Sequence, residues 1–146
     1  MVLALTISAI VQPARAVDRC APPRPNAPVT LATLARNHGD ARPMVMTAVN
    51  LALAEDDCLR RAAYRGRGAH GPIEAAADAA IAQCGSAFRA YEAAQAKTAP
   101  SPAAHAAIRK DEKLRRAQTA LGYARAYRAC AREPARRFIP GYIAKP

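Results

Sequence analysis

The chain has 146 residues, and its 22 Lys and Arg against 11 Asp and Glu give a formal net charge of +11. Leu, Ile, Val and Phe fill 24 of 146 positions, about 16%, below the rough 20% at which charged chains tend toward disorder. Alanine, with 39 copies, supplies helix propensity but little buried area per side chain. A large apolar core is thereby excluded, and so are a large β-sandwich and a parallel α/β sheet, since both sheet folds need β-branched runs that this chain lacks. The expectation is an all-α fold: a small bundle of three to four helices stapled by two disulfides.

Arginine outnumbers lysine 18 to 4. A basic chain suits an anionic partner, but a GC-rich coding sequence also produces this bias, and no block of five like charges occurs. Scattered basic residues fit a solvated helical surface better than a nucleic-acid arm, so no nucleic-acid partner is expected.

Residues 2–11, VLALTISAIV, form an apolar run too short to span a bilayer core of about 30 Å as a helix. The run is followed by Ala14-Arg15-Ala16, an A-x-A cleavage pattern that makes residues 1–16 a signal peptide and Val17 the mature terminus. The usual basic residue at the start of such a leader is missing. Lipidation at Cys20 is disfavoured because Asp18-Arg19 precede it. The mature chain is expected to be periplasmic or secreted, and not membrane-spanning.

Residues 17–29 are proline-rich and read as extended, tied down at Cys20. A helical domain over 30–134 follows. A short helix at 30–37 carries Leu31, Leu34 and Ala35 on one face, with Gly39 as its stop. Pro43 opens a helix to about Arg65 with Val45, Val49, Ala52, Leu59 and Ala63 at helical steps. Gly66, Gly68 and Gly71 then break the chain, and Pro72 and Glu74 begin a third helix, read as continuous from 72 to 97. Its stripe is Ile73, Ala77, Ala80, Ile81, Cys84, Phe88 and Tyr91. Ser101 as N-cap and Pro102 at the first position start a fourth helix, which ends near Glu133 ahead of Pro134. Ala107, Leu114, Ala117, Leu121 and Ala124 are expected to face inward, with Lys110, Asp111, Glu112, Lys113, Arg115 and Arg116 solvated. Residues 135–146 are expected to be non-helical, packing Phe138, Ile139, Tyr142 and Ile143 on the bundle.

Four cysteines survive the expected cleavage, and no C-x-x-C pair is present, so redox, zinc-ribbon and haem-attachment spacings are missing. Cys58 and Cys84 lie on inward stripes about thirteen residues either side of Gly71, so an antiparallel hairpin pairs them. That leaves Cys20 with Cys130. Loop entropy assigns about 3.5 kcal/mol to the first bridge and about 4.8 to the second.

The stretch CLRRAAYRGRGAHGPIEAAADAAIAQC, from Cys58 to Cys84, resembles the Cys-bridged hairpin of small exported alanine-rich helical proteins of GC-rich bacteria. A fainter similarity is to secreted helical lysozyme inhibitors. The aromatic and acidic pattern expected near their second cysteine is missing here, so the resemblance transfers no functional residue.

No two of His38, His70 and His105 have the four-residue spacing of a helical metal site, and no metal or cofactor is expected. The triplet Glu55, Asp56 and Asp57 lacks the alternating spacing of a calcium loop and reads as a solvated helical edge. Ser86 and Ser101 lack a nucleophile elbow, and P-loop and dinucleotide fingerprints are missing. The densest basic feature is Arg60, Arg61, Arg65 and Arg67 with Tyr64, a candidate anion-binding patch whose guanidinium groups could grip phosphate or carboxylate. The competing reading gives those arginines only a helix-dipole role. The expected function is therefore a non-enzymatic, envelope-associated interaction module for an anionic polymer, lipid head groups or an acidic protein. The alternatives are a small periplasmic hydrolase using a histidine and a carboxylate, or a protein similar to the lysozyme inhibitors.

Overall fold

The structure, a computed structural model, describes residues 20–38, 42–99 and 101–132. The expected leader and the expected packing of residues 135–146 lie outside that range. Five helices and no strand occur among the described residues: α1 (Leu31–His38), α2 (Pro43–Arg65), α3 (Ile73–Gln83), α4 (Gly85–Thr98) and α5 (Pro102–Arg132), with a 3-10 turn at Gly66–Gly68. The fold is all-α and carries two disulfides, Cys58–Cys84 and Cys20–Cys130.

Local chemistry accounts for several boundaries. The Thr30 hydroxyl accepts the Thr33 amide at 3.2 Å, so Thr30 caps α1 rather than belonging to it. The Ser101 hydroxyl accepts the Ala104 amide at 3.1 Å ahead of Pro102, which anchors the start of α5. Gly71 sits at φ 104°, a conformation costly for any residue with a Cβ, and reverses the chain between α2 and α3.

The helix expected over 72–97 is two helices. Cys84 leaves helical geometry at φ −102° and ψ 11°, and its amide bonds back three residues to the Ile81 carbonyl. Gly85 follows, costing about 1 kcal/mol relative to alanine within a helix. The stripe of apolar residues runs unbroken through the bend because it reports which side faces inward, not whether the axis is straight. From the bend α4 leans on the first half of α2, while α3 stays against α5.

The core is thin. Leu59, Ala62 and Ala63 of α2, Ala77 and Ala80 of α3, Cys84, Phe88 of α4, and Ala120, Ala124 and Tyr127 of α5 form one buried cluster. Tyr127 meets Tyr64 edge-on at 5.4 Å and lies beside Tyr123 at 6.3 Å.

Two expectations about charge are overturned. The acidic triplet is not a solvated edge: Glu55 is 0% exposed and Asp57 6%. Glu55 accepts Arg115 at 2.5 Å and Arg116 at 2.7 Å from α5. Asp56 and Asp57 instead hold the proline-rich segment. The Asn26 backbone amide donates to Asp57 at 2.8 Å and its side-chain amide to Asp56 at 3.3 Å. Nearer the start of α2, Asn50 pairs with both backbone groups of Val29, at 2.7 and 3.0 Å. An extended segment needs such partners because its own backbone makes no internal ladder.

Arg116 is likewise not solvated. It is 6% exposed, bonded to Glu55, to Glu92 at 2.6 Å and to the Phe88 carbonyl at 3.5 Å, with its guanidinium 4.3 Å above the Phe88 ring. Leu114, Ala107 and Ala117, expected inside, are exposed, Leu114 at 61%. Alanine occurs on several faces of α5, so small-residue periodicity does not define its inward side. The space opposite Glu55 and Glu92 is filled by a long cation that satisfies both carboxylates.

Candidate functional site

The sequence places Arg60, Arg61, Tyr64, Arg65 and Arg67 within eight residues, but the helix points them to separate tasks. Arg60 forms a close ion pair with Asp57 and donates to the Arg24 carbonyl at 2.9 Å, fastening the proline-rich segment. Burial opposes its charge, but the bond to Asp57 and the nearby carboxylates outweigh it and raise its pKa. Arg61 donates to the Asp57 carbonyl at 3.3 Å and Arg65 to Gln83 of α3 at 2.9 Å. Only Arg67 turns toward the Gly-rich connection. Its guanidinium lies 3.9 Å above the Tyr64 ring and donates to the Tyr64 carbonyl at 2.8 Å.

The end of α5 completes a different basic constellation around Arg67. A hollow of about 200 Å3 is lined by Arg67, His70, Arg128 and Arg132 with Gly68 to Gly71, and no carboxylate among the described residues lines it. Arg128 donates one nitrogen, Nη1, to the Gly71 carbonyl at 2.7 Å, while its other terminal nitrogen, Nη2, is buried without a hydrogen-bond partner. A buried unpaired donor is costly unless something accepts from it. The Cys20–Cys130 bridge, with Cα atoms 5.3 Å apart, pins the chain beside this end of α5.

Sequence reasoning missed Arg128 and Arg132 because Arg128 lies 57 residues from the Gly71 it binds, and Arg132 farther still. The proposed Cys20–Cys130 pair was the available signal, since it ties the end of α5 to the segment fastened on α2.

Behind the hollow, Tyr123 donates to Asp56 at 2.6 Å. Burial first, and then that bond, push the Tyr123 hydroxyl well above its ordinary pKa. Burial also raises Tyr127.

The other described side chains singled out in the sequence gather no such site. His105 lies in the first turn of α5, with its Nε2 buried and unpartnered. Ser86 is exposed on α4, and Ser101 serves as a cap. No group of three or more His, Cys, Asp or Glu side chains among the described residues could hold a metal ion. No described helix is long and apolar enough to cross a membrane. Comparison of the chain with protein-family models, curated proteins and solved structures finds no match in any of the three.

Proposed function

We propose that the protein is an exported, non-enzymatic binding module that holds a phosphate group of an anionic envelope lipid or polymer at the hollow between the Gly-rich turn and the end of α5. The carrying observation is convergence: three guanidinium groups and an imidazole line one hollow of about 200 Å3, to which no carboxylate of the described residues contributes. Planar guanidinium groups suit bidentate capture of phosphate oxygens. Export rests on the apolar leader with its A-x-A site and on the two disulfides, which persist in oxidising compartments. The hydrolase reading lacks comparable support, because no carboxylate among the described residues lines the pocket that holds His70.

The test compares two double variants that remove equal charge, Arg67→Gln/Arg132→Gln and Arg36→Gln/Arg89→Gln. Binding to phosphatidylglycerol vesicles at physiological salt should weaken about tenfold or more in the first and about twofold or less in the second. Equal losses would reduce the effect to net charge and overturn the site.

A further inference from the structure

A second hollow, unrelated to the basic end, opens where the bend at Cys84 carries α4 away from the first half of α5. Its volume is about 720 Å3, within the range of about 300–1,000 Å3 typical of small-molecule sites. Ile81 of α3 and Phe88 of α4 form its apolar floor, and the exposed Ala106 and Ala117 leave room above it on α5. Arg116 crosses the space at one end, bonded to Glu92 and lying on Phe88. Arg109, Lys110 and Lys113 line the α5 side, and none of the three forms an ion pair with a described residue.

We infer that this cleft binds an amphiphile with a single anionic head, of the class of long-chain carboxylates. The chain lies on Ile81 and Phe88, and the head meets the cations of α5. Charge selects that occupant. Four cations against Asp78 and Glu92 leave the lining net positive, which disfavours a cationic amphiphile. A second copy of this chain, at +11, and its own segment RRFIPGYIAKP, with three cations and no acidic side chain, are repelled by the same wall.

The experiment titrates dodecanoate into the full, disulfide-bonded protein by calorimetry. Expected is saturable binding at one per chain, at least tenfold weaker in Ala117→Trp, which fills the cleft from an exposed position and leaves the core alone. Arg109→Gln/Lys113→Gln is expected to weaken dodecanoate about tenfold and the uncharged amphiphile dodecyl maltoside less than twofold. That second variant keeps the test decisive should the tryptophan disturb folding. Non-saturable uptake, equal binding of dodecyltrimethylammonium, or undiminished affinity in both variants would overturn the inference. So would displacement of dodecanoate by the synthetic peptide RRFIPGYIAKP, which would assign the cleft to the chain's own tail, or dimerisation abolished by Ala117→Trp, which would assign it to a second copy.

Discussion

From Leu59 to the Gly-rich turn, α2 meets α3 and α5 through alanines, with Ala62, Ala63, Ala77, Ala80, Ala120 and Ala124 all buried. One turn earlier on α2, the contact with α5 and α4 is made by Glu55, Arg115, Arg116 and Glu92. The first region closes because small side chains let backbones approach, and the Cys58–Cys84 bridge holds Cα atoms 5.8 Å apart at its edge. In the second, the bend at Cys84 separates the axes, and alanine is too short to fill the gap. Arg116 spans it, lying flat on Phe88 while two carboxylates hold its guanidinium. Burial works against that charge, but the bonds to Glu55 and Glu92 prevail and raise its pKa. A chain poor in Leu and Ile thus uses long ionic side chains as spacers where the helices diverge, and its larger cleft lies beside that spacer.

Breaking the ionic region should have the largest effect. Glu55→Gln takes one of two carboxylates from the buried Arg116, and Arg116→Ala one of two cations from the buried Glu55, each costing about 3 kcal/mol in denaturant unfolding. Because a buried pair repays little more than its own desolvation, Glu55→Leu/Arg116→Met should recover most of that loss. Arg115→Ala provides the contrast: with its side chain 43% exposed, it should cost about 1 kcal/mol or less.

The alanine region should resist enlargement rather than loss of charge. Ala120→Leu introduces three heavy atoms where α5 faces α2 and α3 with no exposure, and should destabilise by about 1–3 kcal/mol. The same substitution at the exposed Ala117 should stay within about 0.5 kcal/mol.

A more modest loss concerns the polar contact linking Tyr123 to Asp56. Tyr123→Phe removes a hydrogen bond to a carboxylate that keeps only the Asn26 amide at 3.3 Å, for an expected loss of about 1–2 kcal/mol at neutral pH. Because its folded pKa is raised, Tyr123 contributes stability below the unfolded value of about 10 that is lost as pH rises above it. Thermal melts from pH 8 to 11 should show a falling Tm above about 10, and a shallower fall in Tyr123→Phe.

Short-range rules were enough to read the outer helix boundaries from the sequence, though not the break at Cys84. Pro43, Ser101-Pro102 and the glycines around Gly71 act through caps, φ restriction and missing amides, which depend on neighbours a few residues away. The stripe from Ile73 to Tyr91 showed which side of α3 and α4 faces inward, and the spacing of Cys58 and Cys84 about Gly71 set their pairing. Tertiary structure alone decided where the charges went. Glu55 and Arg116 sit in ordinary surface-like sequence, and 61 residues separate the partners that justify burying them. The candidate phosphate hollow joins Arg67 to Arg128 and Arg132 only because α5 runs alongside α2, a register that alanines on several faces leave undetermined. A buried charge is tolerated only when its counter-charge arrives with good geometry, and that arrival is a property of how helices pack, which local periodicity does not encode.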